Sequence, residues 1–188
     1  AARAAECESL ARVPDASIDD LFSSGLMRCM QPARFGGSEL GVDVLFDTTI
    51  EIAKGCASTA WVYMNLAGHD WNIGLAGSGS HDVLIERAFV PAHRTIAVET
   101  FANGDTCPGA KVHANPLYRT PPFPVFGFSL AAPPLGAARG ALEAYLDATK
   151  KRSGTFTGAR LADLAPLQIR IAEASASLDF AETTMRIC

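Results

Sequence analysis

The sequence contains no apolar run approaching the ~18 residues that a membrane-spanning helix needs. Its start, Ala1-Ala-Arg-Ala-Ala-Glu-Cys-Glu, is acidic and has no apolar core, so it is not expected to be a secretory leader. Methionine is missing at position 1, so the expectation is that the chain continues upstream. Basic residues form no stripe. With 16 Lys and Arg against 20 Asp and Glu, the net charge of -4 argues against a nucleic-acid partner. The 5 cysteines (Cys7, Cys29, Cys56, Cys107 and Cys188) are scattered and odd in number. They form no CxxC pair and no Cys/His spacing, so no zinc site is expected. Free thiols in a reducing, cytoplasmic compartment are the plain reading. Internal repeats and low-complexity tracts are also lacking.

What is present is an ordinary globular composition over 188 residues, 48% apolar and 19% charged, enough for one large domain or two small ones. The pattern is mostly helical. Residues 1–12 read as the end of a helix. Ser17 is a candidate N-cap for a second helix, with Asp19 and Asp20 in its first turn and Ile18, Leu21, Phe22, Leu26 and Met30 on its apolar face. Gln31-Pro32-Ala33-Arg34-Phe35-Gly36-Gly37 ends it. Periodicity predicts a third helix over Asp43–Lys54, with Val44, Leu45, Thr48, Ile52 and Ala53 facing inward. A fourth follows, capped by Ser58 and running from Thr59 to about Asn72. It is apolar nearly all round, as buried helices are.

The middle differs. Ala76 to His81 reads as a flexible loop, Asp82 to Pro91 as a strand or two, and the proline-rich stretch 103–125 as loop. Helix returns over Leu130–Lys151, where Pro133 and Pro134 are expected near the first turn. Gly154 to Gly158 makes a turn, and Leu161 to Met185 a last long helix.

Four segments, in order, resemble the acyl-CoA dehydrogenase superfamily. Gln31 to Leu40 is similar to its "QPxxYGG" turn, and Ala57-Ser58-Thr59-Ala60-Trp61 to its "ASxxW" helix start. Gly77-Ser78-Gly79-Ser80-His81-Asp82-Val83, leading to Phe89-Val90-Pro91, resembles the passage that leaves the β-domain. Leu135 to Leu142, with Lys151-Arg152 and Phe156, resembles the opening of the C-terminal bundle. Gly68-His69 and Asn115-Pro116-Leu117-Tyr118-Arg119 favour the two-component flavin-dependent aromatic hydroxylases, such as the p-hydroxyphenylacetate hydroxylase oxygenase component. The resemblance implies a mainly α, acyl-CoA dehydrogenase-like fold. Its parts would be an N-terminal helical domain over 1–73, a β-domain remnant and proline-rich connection over 74–125, and the first part of a C-terminal bundle over 126–188. The family's β-domain is largely absent between the fourth helix and Gly77, and its last two bundle helices are not seen after Met185.

Trp61, Asn65 and His69 are spaced i, i+4, i+8, one slanting stripe roughly 12 Å long on a helix. An indole and an imidazole on one stripe suit a pocket for a planar ring, but core packing of Trp61 and a carbonyl-bonded His69 are the plainer account of the spacing by itself. By the resemblance, Trp61 lies close to the flavin and His69 faces a phenol as general base, a role suited to an imidazole pKa. Arg152, a cation beyond a helix end, suits the helix dipole; the resemblance makes it a flavin-phosphate contact, often across a subunit boundary. Arg119 is a solvated loop arginine or, by the resemblance, a flavin contact. The Gly77–Ser80 loop offers N–H groups to an anion or is only a turn. His81, His93 and His113 share no ligand spacing.

The implied activity is that of an oxygenase component. It takes reduced flavin (FMNH2 or FADH2) from a separate reductase, adds O2 to form a C4a-hydroperoxide, and hydroxylates a phenolic ring, typically as a homotetramer. Two alternatives stand beside it: an FAD-dependent acyl-CoA dehydrogenase, for which no glutamate base is identifiable, and an inactive helical assembly piece.

Overall fold

The structure, a computed structural model, describes residues 2–72, 86–154 and 158–187, and for residues 69–72 and 106 the backbone. The described chain is mostly helical and contains no strand. Helix α1 spans Ala4–Leu10, α2 Asp15–Ser23, α3 Val42–Gly55 and α4 Ala57–Asn72. The short helices α5 (Val98–Ala102) and α6 (Pro108–Val112) follow, then the long α7 (Pro122–Lys150) and α8 (Ala165–Ile187). Among the described residues no helix is long and apolar enough to cross a membrane.

Helix α3 is the pivot, packed against α4 on one side and α7 on the other. That double contact widens its buried face beyond the expected one. Leu45 and Ala53 are buried, but so are Thr49 and Ile50, while Val44, Thr48 and Ile52 are half-buried. Thr49 satisfies its hydroxyl by donating to the Leu45 carbonyl at 2.7 Å. The α3–α4 side closes a core of Leu21, Met27, Met30, Leu45, Tyr63 and Leu117. On the α7 side the approach is closer still. A Cβ on Gly136 would stand 2.3 Å from the Ile50 carbonyl oxygen, and one on Gly140 would stand 2.4 Å from that of Lys54. Only glycine lets the two backbones come this near.

The Gln31–Leu40 turn is built the same way. Gly36 takes φ +84, and a Cβ on Gly37 would meet the Gln31 carbonyl oxygen at 2.0 Å. Ser38, Glu39 and Leu40 donate backbone N–H bonds to Arg28, Gln31 and Cys29. Asn115 then ties the distant Pro116–Arg119 turn to it, donating Nδ2 to the Glu39 carbonyl at 2.9 Å.

Several expectations are corrected. Helix α2 starts at Asp15 behind Pro14, so Ser17 lies inside it and is no cap. Proline 14 fixes the non-helical entry, and its carbonyl accepts from Ser17 and Ile18. The helix ends at Ser23 because Gly25 adopts φ +79, which leaves Phe22 exposed. Ser58 lies inside α4, whose N-cap is Cys56: the Cys56 carbonyl accepts from Ala60 at 3.1 Å. Glu86 to Pro91 forms no strand. The prolines of 103–125 start helical turns instead of breaking them, since Pro108, Pro116 and Pro122 sit at first-turn positions where a missing N–H costs nothing. Helix α7 therefore begins at Pro122, and Pro133 and Pro134 fall in its interior. Packing overrides the local cost there: Ala132, Pro133, Leu135 and Gly136 are buried. The Gly154–Gly158 turn is closed by the Gly154 N–H on Ala159 and the Gly158 N–H on Gly154. The last helix starts at Ala165, after a 3-10 turn over Leu161–Asp163. The Gly77–Ser80 loop, His81, the Asp82–Ile85 part of the expected strand, Phe156 and Cys188 lie outside the described residues.

Helix α8 is tied to α7 and α3 by ion pairs and by an apolar contact. Arg139 of α7 bonds Glu182 at 2.7 Å and Asp179 at 2.8 Å, and Arg186 reaches Asp47 of α3 at 2.7 Å. Leu178 and Met185 supply its apolar contact with Phe46, Ile50, Ala132 and Leu135. Its other side exposes Ile169, Phe180 and Ile187.

Candidate functional site

Periodicity on α4 decides which side chains reach a cavity. Ala60, Tyr63, Met64 and Ala67 recur at helical spacing and are buried. Trp61 is turned off that face and is 44% exposed. It is therefore not a core tryptophan. Its indole lines a cavity of about 880 Å³ between α1, α4 and α7, with Arg12, Ser58, Val62, Pro133 and Pro134 among its neighbours. Asn65, half-buried on the same stripe, donates Nδ2 to the Trp61 carbonyl at 2.8 Å. His69 continues the stripe on the helix backbone; its side chain lies outside the described residues.

The other expected site residues are not gathered there. Arg119 ends the Pro116–Arg119 turn, and Arg152 follows the C-terminus of α7; both are exposed, and neither lines this cavity. At the rise of an α-helix, the stretch from Pro134 to Arg152 covers roughly 25 Å. Arg152 cannot reach the indole of its own chain across that distance. The cation in the cavity wall, Arg12, is already paired with Asp15 at 2.6 Å. His93 is exposed in a short turn, and His113 packs its ring 4.4 Å from that of Tyr118. Among the described residues no group of three or more His, Cys, Asp and Glu could hold a metal ion.

A second cavity, of about 480 Å³, was not visible in the sequence. It lies between α3, α7 and α8, walled by Phe46, Ile50, Val125, Phe128 and Met185, with Asp47, Glu182 and Arg186 at its edge. Its residues come from three distant segments, and each has the spacing of ordinary core.

A cavity of several hundred Å³ holds a drug-sized molecule. The exposed indole in the first one offers a flat, apolar face to a planar ring. The cavity thus offers a ring-sized apolar face at Trp61 and, among the described residues that line it, no unpaired cation for a phosphate.

Comparison with known proteins shows what the chain is similar to. Residues 128–187 match the family model "Acyl-CoA dehydrogenase, C-terminal domain". The chain is 24% identical to the flavin-dependent monooxygenase, oxygenase subunit HsaA, of Rhodococcus jostii, over 95% of this chain and 70% of that protein. It is 37% identical to the oxygenase component of the FADH(2)-dependent resorcinol hydroxylase of Rhizobium sp., over 59% of this chain and 28% of that one. Its fold is that of the 3-HSA hydroxylase from Rhodococcus sp. RHA1, with a TM-score of 0.86 at 23% identity, covering 98% of this chain and 70% of that one. The alignment with HsaA runs over 269 positions against the 188 residues present here. A large block of the relative, some eighty positions at least, thus has no counterpart in this chain.

Proposed function

We propose that the chain is a member of the flavin-dependent hydroxylase branch of the acyl-CoA dehydrogenase superfamily and acts as the oxygenase component of a two-component monooxygenase. Its substrate would be a phenolic or other aromatic ring, with a separate reductase delivering reduced flavin. The observation that carries the reading is the likeness to hydroxylase oxygenase components across nearly the whole chain. Reduced flavin supplies the electrons that activate O2 for transfer of one oxygen atom to the ring.

The protein's own part is positioning and proton handling. Trp61 stacks on the planar ring system and keeps water from one of its faces. His69, two helical turns further along the same stripe, accepts the phenolic proton and makes the ring carbon more nucleophilic. Arg119 would supply a further flavin contact outside the Trp61 cavity, and Arg152, in the site of a neighbouring copy, the positive charge that this cavity lacks. A homotetramer assembled through the bundle would bring it there, and the exposed Ile169, Phe180 and Ile187 on α8 support that arrangement. The charge balance and free thiols suit a cytoplasmic protein.

The test is anaerobic titration of the protein with reduced FMN and FADH2, followed by O2 and a phenol, with the product weighed for one added oxygen atom. Trp61→Ala should weaken reduced-flavin binding about tenfold, a loss of about 1.4 kcal/mol. His69→Gln should lower turnover by roughly 10²-fold or more with flavin binding unchanged. The block of family positions without counterpart favours a second reading, an assembly piece without activity. Failure to bind either reduced flavin would decide for it.

A further inference from the structure

We propose that the cavity between α3, α7 and α8 binds an uncharged, largely apolar ring compound that carries one hydrogen-bond donor, a hydroxyl or an uncharged arylamine. Its volume of about 480 Å³ lies in the range that takes a drug-sized molecule. Phe46 and Ile50 of α3, Val125 and Phe128 of α7 and Met185 of α8 wall it. Ile50 is part of the buried core with Ala132 and Leu135, and Phe46 and Met185 pack against that core, so one side of the cavity is anchored. Two phenyl rings suit a flat partner, and the unbranched Met185 side chain can follow its outline.

The rim decides the charge and the polar group of the ligand. Among the described residues that line the cavity, Arg186 is the one cation, and it is already spent. It bonds Asp47 at 2.7 Å and Glu182 at 3.0 Å. With Asp43, three carboxylates stand against that single guanidinium. An anionic ligand would meet a net negative rim and find no free donor. Acceptors remain, however. Asp43 makes no ion pair among the described residues. The Thr120 hydroxyl donates to the Pro116 carbonyl at 3.4 Å, which leaves its oxygen lone pairs for a ligand. A hydroxyl or N–H on the ligand is therefore satisfied at the rim, whereas a carboxylate, sulfonate or phosphate is not.

This site is separate from the one proposed for flavin. The two cavities share no lining residue among those described, so the inference does not rest on the oxygenase reading. Because its walls come from three helices, an occupant bridges α8 to α3 and α7, adding apolar contact beside the ion pairs that already join them.

The test uses a matched pair of fluorescent probes: phenylnaphthylamine, uncharged with one N–H, and anilinonaphthalene sulfonate, the same skeleton carrying an anion. The flavin-free protein is isotope-labelled at the methyl groups of its 4 methionines, and the Met185 resonance is assigned with Met185→Leu. The expected result is saturable binding of one phenylnaphthylamine per chain, with the Met185 methyl shifted and those of Met27, Met30 and Met64 unmoved. The sulfonate should bind at least about tenfold more weakly. Val125→Trp fills the cavity and should weaken phenylnaphthylamine about tenfold or more, while Trp61→Ala should leave its binding unchanged. Equal binding of the two probes would overturn the proposal, as would loss of binding in Trp61→Ala or no binding at all. A Met185 shift that follows protein concentration alone would mark a contact between copies and overturn it too. The methyl spectrum of the wild-type protein decides the matter even if Val125→Trp fails to fold.

Discussion

Replacing Gly136 by alanine adds one methyl group where α7 crosses α3. The new carbon would lie 2.3 Å from the Ile50 carbonyl oxygen, 2.5 Å from the Ala53 Cβ and 2.9 Å from the Ile50 Cα. Two of those three neighbours are backbone atoms, so relief requires one helix to move. Two effects compete. Alanine is the better helix former by about 1 kcal/mol, while forcing an extra methyl into a close-packed contact costs about 1–3 kcal/mol. Backbone neighbours place the cost at the upper end, and the expected net loss is about 1–2 kcal/mol. At this chain length that is a fall in Tm of roughly 2–8 °C. Gly127 is an internal control in the same helix: it is exposed, and a Cβ there meets nothing within 4 Å. Gly127→Ala should therefore stabilise by about 0.5–1 kcal/mol. Urea unfolding followed by circular dichroism measures both variants. If Gly136→Ala moves the midpoint in the same direction as Gly127→Ala, the close helix crossing is wrong.

Other expectations follow from the packing and the charges. Leu45→Ala empties the centre of the core and should cost about 2–5 kcal/mol in the same unfolding assay. Glu182→Gln should loosen α8, because its carboxylate accepts from both Arg139 and Arg186; hydrogen exchange in α8 should quicken while α3 is unchanged. Acid should act alike. Arg186, aided by Arg139 and opposed by burial, holds the Glu182 carboxyl below the usual carboxylate range. The stability it contributes is present above the unfolded pKa of about 4.3 and is lost as pH falls through the lower folded value. Protection of α8 should therefore drop below about pH 4, and Glu182→Gln should remove that dependence. Iodoacetamide should label Cys56 at a lower pH than Cys29, since the one thiol is stabilised as an anion and the other is raised by burial; equal profiles would contradict the N-cap geometry.

Much of this could be read before any coordinates. Helix α3 was legible to within a residue, because its apolar spacing is regular and Gly55 closes it. The family fold came from ordered turn and helix-start motifs, and Gly37, Gly136 and Gly140 in those motifs prove to be close-approach positions, while Gly36 holds a left-handed backbone. The start of α7 was misplaced since prolines look alike at a first turn and in a loop, and only packing shows which applies. Trp61 was visible as part of a stripe, but periodicity could not say that its face opens on a cavity. The apolar cavity walled by Phe46, Phe128 and Met185 depends on tertiary proximity that spacing does not encode.

The glycine-lined crossing of α3 and α7 also bears on how the chain assembles. It joins the early helices to the late ones across the whole middle segment, so the contact of Ile50 with Gly136 forms only after a long loop has closed. Such a contact is slow to find and rewards the chain late. Once formed, it no longer needs the covalent path between its ends. A protease cut between Arg94 and Asn115 should leave a nicked protein whose two pieces migrate together in native gels and part only in denaturant.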